Sequence, residues 1–273
     1  MGTPATNLTV PTALTIAGSD SGGGAGIQAD LKVFMALGCH GMSAITALTA
    51  QNTTGVHGVW EVPPDFVVAQ IEAVTSDIGV SAAKTGMLSS AAIVEVVATS
   101  VKRHDIRPLV VDPVFVSKHG ARLLAADAVT ALTERLFPLA DLITPNLHEA
   151  QALVGRSLTS LEDMKDAASE LRAMGPQAVL VKGGHLEGAP GEEAVDVFLD
   201  DHGIVELRGP RYDTTDTHGT GCTLAAACAA RLAHGETTLD AARAAKEFVD
   251  QAIKSSLRLG RGYGPVNPAW RLS

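Results

Sequence analysis

The order of apolar and polar residues predicts an α/β chain, a three-layer α/β/α sandwich around a mostly parallel central sheet with an antiparallel edge. Three observations carry this. Short apolar runs alternate with longer amphipathic stretches, the signature of βαβ units. Runs such as Leu109–Asp112 and Ala178–Lys182 are almost unbroken in apolar character up to their last residue, as expected of strands covered on both faces. Late in the chain two strand-like runs follow each other with no helix between them, which places a hairpin at the edge of the sheet.

The elements follow in order. Ala13–Gly18 reads as a strand running into a glycine-rich turn, and Ala25–Leu37 as a helix with Ile27, Leu31, Phe34 and Met35 at helical spacing. Met42–Ala50 is a second strand. Val56–Val62 is apolar at alternate residues and reads as a small exposed strand flanking the sheet. Pro64–Ser76 is a helix with proline in its first turn. Ser81–Thr85 is a short strand, Ala91–His104 a helix and Leu109–Asp112 a buried strand. Ala125–Phe137, Leu142–Thr144 and Leu147–Val154 read as helix, strand and helix. Ser160–Met174 is a helix opened by a capping box, Ser160 with Asp163. After the strand Ala178–Lys182 comes the hairpin, Ala194–Leu199 and Gly203–Leu207, joined at Asp201-His202. Gly221–Ala233 and Leu239–Arg258 are the closing helices. No repeat, low-complexity tract or linker interrupts the chain, so residues 1–273 read as one domain with residues 1–12 as a flexible N-terminus.

Composition narrows the function. The chain has 273 residues, enough to hide roughly 70–75% of the unfolded surface. Hydrophobic residues at 46% and charged residues at 19% are globular proportions. Lys plus Arg is 21 against 30 Asp plus Glu, a net charge of −9. That balance argues against nucleic-acid and anionic-membrane partners, and aromatics at 4% offer few stacking platforms. The start has neither a basic nor an apolar targeting segment, and no run is long enough to span a membrane. Three cysteines cannot all pair internally, so a reducing cytoplasm is expected.

Ligands of open α/β sheets bind at the carboxyl ends of the strands. There the sequence gathers Gly18 to Gly26, Gln51, Lys84 to Met87, Asp112, Asn146 to Glu149 and Lys182 to His185. The stretch Ser19-Asp20-Ser21-Gly22-Gly23-Gly24-Ala25-Gly26 allows close backbone approach at a helix start. It serves a tight turn equally well. It is not a dinucleotide fingerprint, because Ile27 takes the third glycine position, and no Walker-type phosphate loop exists anywhere. Thr217-His218-Gly219-Thr220-Gly221-Cys222 precedes an alanine-rich helix. Its bare amides suit an anion, and Cys222 in the first turn is expected to be partly thiolate, or else a small packing residue. Cys39 and Cys228 read as inert packing. Scattered thiols and imidazoles do not make a zinc site. The carboxylates of Asp112 and Glu149 suit a hard cation such as Mg²⁺, although Glu149 also compensates a helix dipole. Lys182, at a buried strand end before two glycines, reads as a phosphate contact.

Taken together, these motifs resemble the bacterial hydroxymethylpyrimidine/phosphomethylpyrimidine kinases of thiamine biosynthesis, in the ribokinase-like superfamily. The resemblance runs from Leu14 to about Pro265. It is carried by Thr15-Ile16-Ala17-Gly18-Ser19-Asp20, Gly23 to Asp30, Ile45 to Leu48 with Gln51-Asn52-Thr53, Lys84-Thr85-Gly86-Met87, Val111-Asp112-Pro113-Val114, Thr144-Pro145-Asn146, Lys182-Gly183-Gly184-His185 and His218 to Cys222. It implies transfer of the γ-phosphoryl of ATP to 4-amino-5-hydroxymethyl-2-methylpyrimidine and then to its monophosphate. It implies that Gln51 holds the pyrimidine, with Gly18, Asp30, Met87 and Val114 around it. Gly219, Thr220, Gly221 and Cys222 would form the anion hole. Asn146, Lys182 and Thr217 would meet the nucleotide, and Asp112 and Glu149 would organise Mg²⁺, with a monovalent cation an added possibility. Sugar kinases of the superfamily place an Asp base where this chain has Cys222. A cysteine there is shared with some bacterial pyridoxal kinases, so vitamin B6 alcohols are the alternative substrates. Two other classes, a Cys222-dependent acyl transferase and a non-catalytic nucleotide binder, fit the motifs poorly. The resemblance also implies a homodimer and offers Arg261 as a phosphate contact.

Overall fold

Strands made of small and branched apolar residues sort themselves by alternation into two cores. Leu14, Ile16, Ala83, Leu109, Val111, Ile143, Val179 and Val181 belong to one buried cluster. Their neighbours Ala13, Ala82, Val110, Leu142, Ala178 and Leu180 belong to the other. The sheet is therefore covered on both faces. The computed structural model describes residues 10–115, 126–184, 186 and 193–272.

The strands are β1 (Thr12–Asp20), β2 (His40–Asn52), β3 (Gly55–Glu61), β4 (Ala82–Thr85), β5 (Leu109–Val111), β6 (Leu142–Ile143), β7 (Ala178–Val181), β8 (Glu193–Asp200) and β9 (Gly203–Pro210). They form one sheet in the order β3-β2-β1-β4-β5-β6-β7-β8-β9. The run from β2 through β7 is parallel. The late hairpin β8–β9 is antiparallel, as the sequence predicts. The run expected over Val56–Val62 is strand over residues 56–61, within β3 and hydrogen-bonded antiparallel to β2, so the sheet has an antiparallel margin at each end.

The helices are α1 (Gly26–Ala36), α2 (Pro64–Thr75), α3 (Ala91–Arg103), α4 (Ala126–Ala131), α5 (Leu147–Val154), α6 (Leu161–Arg172), α7 (Thr220–Ala233) and α8 (Thr238–Lys254). One layer holds α2 to α6, and the other holds α1, α7 and α8. Alanine makes the second layer close-packed. Ala225 through Ala230, with Cys228 among them, are fully buried along α7, and side chains this small let the helix lie directly on the sheet. In α8 the buried Ala241, Ala242, Ala245, Phe248, Val249 and Ala252 follow helical spacing and form one apolar stripe.

Several boundaries differ from the sequence reading. Thr12 is already paired with His40, so order begins inside the segment expected to be flexible; residues 1–9 lie outside the described residues. The helix expected over Ala125–Phe137 is regular only to Ala131. It widens into a π turn over Leu132–Leu136 and tightens into a 3₁₀ turn over Phe137–Leu139, where Pro138 cannot continue the helix. The last helix stops at Lys254 rather than Arg258, because the chain turns back and Leu257 N–H donates to Pro265 O. The capping box Ser160–Asp163 is present as expected. No helix among the described residues is long and apolar enough to cross a membrane.

Candidate active site

The carboxyl ends of β1, β2, β4, β5 and β7 open into one cavity of about 950 Å³. The turn before α7 forms its floor. Gly219 is left-handed (φ 82°), and a Cβ there would overlap the Gly24 carbonyl, so only glycine lets this turn lie against the glycine-rich loop. No side chain caps α7, so Thr217, Gly219, Thr220, Gly221 and Cys222 present backbone and small side chains to the cavity. The positive end of the helix dipole faces the same way.

Lys182 follows β7 and is held by its N–H to Pro145 O at 2.9 Å. Its Nζ lies 3.0 Å from Asp112 Oδ1, which also accepts the Thr144 hydroxyl at 3.0 Å. Burial works against the Lys182 charge, but Asp112 and Glu149 outweigh it and hold the ammonium above its usual range. Asn146 and Glu149 form a reciprocal cap on α5. Asn146 Oδ1 accepts Glu149 N–H at 2.9 Å, and Glu149 Oε2 accepts Asn146 N–H at 2.7 Å. Burial pushes the Glu149 carboxyl up to about 8, with Asp112 adding to the effect and Lys182 opposing it.

A second lysine lies deeper. Thr15 and Lys84 are register neighbours on β1 and β4, and both point at Asp30 on α1. Lys84 Nζ lies 3.0 and 2.9 Å from the two Asp30 oxygens, and Thr15 Oγ1 donates to Asp30 at 2.6 Å. Burial raises the Asp30 carboxyl, with Lys84 and Thr15 opposing. At Lys84 the same burial is outweighed by Asp30, and the ammonium stays well above its usual value. Three hydrogen bonds from two donor groups, Lys84 Nζ and Thr15 Oγ1, favour an ionised pair.

At the opposite end, Asp20 organises the glycine-rich loop. Its carboxylate accepts the N–H groups of Gly22, Gly24 and Ala25 at 2.8, 3.1 and 2.9 Å, and faces His218 Nε2 at 2.9 Å. Burial raises this carboxyl, but the hydrogen bonds from His218, Gly22 and Ala25 more than offset it and leave it below its ordinary range. His218 in turn lies 3.4 Å from the Gln51 carboxamide.

A family model described as phosphomethylpyrimidine kinase matches residues 20–267. The chain belongs to this family. It is 52% identical over 272 residues to the hydroxymethylpyrimidine/phosphomethylpyrimidine kinase of Streptomyces coelicolor, covering 100% of this chain and 99% of that one. Among solved structures it is similar to an ADP complex of Bacillus subtilis pyridoxal kinase, with a TM-score of 0.88 and 41% identity over 97% of this chain and 100% of that one. It is also similar to a phosphomethylpyrimidine kinase from Clostridium difficile, with a TM-score of 0.79 and 42% identity over 89% and 99% of the two chains. The fold is ribokinase-like and the chain is a kinase, a phosphotransferase.

Within this phosphomethylpyrimidine kinase fold, Gly18, Gln51, Met87 and Val114 line the cavity, as do Asp112, Asn146, Glu149, Lys182, Thr217 and Gly219 to Cys222. Two expectations change. Asp30 is fully buried and does not line the cavity; it lies beneath it, holding Lys84. Cys222 is not a lowered thiol. Burial pushes it up to about 11, against the attraction of Lys84 and a backbone N–H from Gly26, with Asp30 and Asp112 raising it further. Burial penalises the thiolate more than the helix start favours it, and the negative charges of Asp30 and Asp112 add to that penalty. Cys39 and Cys228 are buried packing residues, pushed up to about 11 and 12 by desolvation. Arg261 is exposed on a segment whose Tyr263 N–H donates to Thr53 O, and it does not line the cavity. His185 lies outside the described residues.

The sequence reading gathers Asp20 and Lys84 at the ligand-binding edge and quotes His218 in a motif, but assigns none of the three a role. An Asp followed by Ser-Gly-Gly-Gly at a strand end is an Asx-turn signal, and a lone Lys ending an apolar strand asks for a partner. No local signal marks Asp196 and Lys246, which meet at 2.9 Å from β8 and α8 and also line the cavity.

Proposed function

We propose that the chain transfers the γ-phosphoryl of ATP to the hydroxymethyl group of 4-amino-5-hydroxymethyl-2-methylpyrimidine, and then phosphorylates the monophosphate to the diphosphate. The observation that carries this is the pairing, in one cavity, of the Gln51 carboxamide with an uncapped helix start and Lys182. A carboxamide supplies both a donor and an acceptor to a heteroaromatic ring. Helix amides and a lysine supply fixed positive charge where phosphoryl oxygens gather.

In this reading Gln51 holds the ring, with Gly18, Met87 and Val114 around it. Asn146, Lys182 and Thr217 meet the nucleotide. The hydroxyl oxygen bonds the γ-phosphorus, the bond to the β-phosphate oxygen breaks, ADP leaves and the hydroxyl proton is released. The amides of Gly219, Thr220, Gly221 and Cys222 stabilise charge on the transferring group at no reorganisation cost. Lys182 neutralises the same charge and is held on line by Asp112. Cys222 contributes its amide, since a thiol pushed up to about 11 is protonated at neutral pH.

Asp112 and Glu149 fit Mg²⁺. Among the described residues no cluster of three metal-ligating side chains exists, and Mg²⁺ is commonly held by one or two carboxylates together with nucleotide phosphates. Burial is the main cause of the upward push on Glu149, and the Asp112 carboxylate adds to it. When bound, the ion would draw charge from the nucleotide phosphates.

A panel of alcohols offered with ATP, read by product mass, tests the assignment. The pyrimidine alcohol should give mono- and then diphosphate. The close superposition on pyridoxal kinase supports a second reading, vitamin B6 alcohols as substrates. Brisk phosphorylation of pyridoxal with none of the pyrimidine would establish that reading instead. A homodimer belongs to the same proposal, and a monomer mass by light scattering would overturn it.

A further inference from the structure

The Gln51 carboxamide can adopt two orientations related by a half-turn about its last bond. Each presents donor and acceptor to the cavity in the opposite order, so what sets the orientation also sets what the site accepts. Thr49 Oγ1 lies 2.9 Å from Ser19 O and 3.1 Å from Gln51 Oε1. A hydroxyl has one proton. With that proton on Ser19, the Gln51 atom facing Thr49 must donate, which an oxygen cannot do.

The other end of the carboxamide has the same conflict. Gln51 Nε2 lies 3.4 Å from His218 Nε2, and that ring nitrogen lies 2.9 Å from Asp20 Oδ2. A bare nitrogen would set a lone pair against a carboxylate, so His218 Nε2 carries a hydrogen. Gln51 then meets donor with donor. A half-turn removes the donor–donor contact without changing the outline of the side chain: Oε1 shares the one His218 Nε2 hydrogen with Asp20 in a three-centre contact, and Nε2 donates to Thr49.

The groups that impose this are themselves immobile. Asp20 is fixed by three backbone N–H groups of the glycine-rich loop. The His218 N–H donates to Gly264 O at 3.0 Å, and its carbonyl accepts Val266 N–H at 3.1 Å. Its ring lies against Gly24 so closely that a Cβ at Gly24 would collide with it.

We propose that the Asp20–His218 pair is a specificity device: it locks the Gln51 carboxamide with oxygen toward His218 and N–H toward Thr49. This rests on the assignment of Gln51 to the substrate ring. A 4-aminopyrimidine presents an amino donor beside a ring-nitrogen acceptor. Its 4-oxo analogue presents an acceptor beside a ring N–H, the reverse order. A locked carboxamide pairs with one and opposes the other, whereas an unlocked one turns to suit either. Asp20 and His218 are positioning residues that act through Gln51.

The test compares the 4-amino alcohol with its 4-oxo analogue by kcat/KM, with KM for ATP as a control. In His218→Ala the preference for the amino compound should fall at least about tenfold, partly through an absolute gain on the oxo compound, with KM for ATP nearly unchanged. His218→Asn keeps a donor and should retain part of the preference. Equal losses on both alcohols, with the preference intact, would overturn the proposal. A measurement on the unaltered protein needs no variant to fold: ¹⁵N NMR of His218 should find the hydrogen on Nε2, and a bare Nε2 would sink the idea. Gln51→Ala separates the underlying assignment from the lock. If it leaves KM for the pyrimidine alcohol unchanged, Gln51 does not read the ring; if it raises that KM while His218→Ala leaves the preference intact, only the lock fails.

Discussion

Two lysine–aspartate pairs lie under the same cavity and do different work. In Lys84–Asp30 both side chains are fully buried, whereas in Lys182–Asp112 the lysine keeps 14% of its side-chain surface and the aspartate 2%. The first pair has no exposed side-chain surface: Lys84 only reaches the cavity wall, and Asp30 lies behind it between β1, β4 and α1, with Thr15 as a third partner. The second stands at strand ends facing the cavity, with Glu149 beside it. Contact distances are almost the same. Only the open pair can exchange part of its partnership for an incoming phosphate, so geometry alone does not make a lysine functional. Access does.

The sharpest way to break this contrast is to remove each ammonium in turn. Lys84→Met leaves Asp30 buried and unpaired, which costs about 3–5 kcal/mol of stability. That should lower the melting temperature by roughly 10 °C. The double variant Lys84→Met with Asp30→Leu should recover most of the loss, because the uncompensated charge is gone. A single variant as stable as the unaltered protein would show that the pair is not ionised.

Lys182→Met should do the reverse. Its Asp112 partner keeps the Thr144 hydroxyl and the cavity beside it, so stability should change little. In turnover with saturating ATP, kcat should fall by about 10²–10³-fold, the usual cost of losing one donor to a developing charge. A loss confined to KM for ATP would mean that Lys182 binds the ground state and does not favour the transition state.

The third test uses pH. The Glu149 carboxyl is pushed up to about 8 in the folded chain, while an unfolded Glu releases its proton near 4.3. Between those values the folded state holds a proton that the unfolded state has lost, so stability falls as pH rises through the window and levels off above 8. Metal-free protein should therefore lose more stability between pH 5 and pH 8 than Glu149→Gln does. Asp250, raised to about 6 chiefly by burial, slopes the same way in both proteins and cancels in the comparison. Parallel stability curves would mean that Glu149 ionises normally.

The contrast between the pairs also marks how far the sequence could be read. Strand ends were legible, because unbroken apolar runs stop at Lys84, Asp112 and Lys182. So were the hairpin of β8 and β9 and the glycine turns. Which strand-end charge faces the cavity was not legible, since that depends on what α1 brings across the sheet. Asp30 sits ten residues past Asp20, and no spacing rule says that one ties the loop while the other lies beneath the floor. The Lys246–Asp196 contact joins elements 50 residues apart, and only the packing of α8 on the hairpin brings it together. Cys222 is expected at a helix start and stands in the first turn of α7; the helix start is visible in sequence, whereas the burial that raises the thiol is not.

Cys222 gives the smallest expected effect and the finest test of that point. With the thiol pushed up to about 11, about one molecule in 10⁴ carries a thiolate at pH 7. Cys222→Ala keeps the backbone amide that the proposed reading uses, so the single-turnover rate at pH 7 should fall by less than about tenfold, below the usual contribution of a general base. Cys222→Ser should behave alike. Alkylation of Cys222 in the unaltered protein should be slow at pH 7 and gain close to tenfold for each pH unit up to about pH 10. A rate loss of a thousandfold in Cys222→Ala, together with fast alkylation at pH 7, would restore the thiolate base. It would also mean that the buried Lys84, whose charge lowers the Cys222 thiol, reaches the chemistry through it and that the two lysines differ less than their exposure indicates.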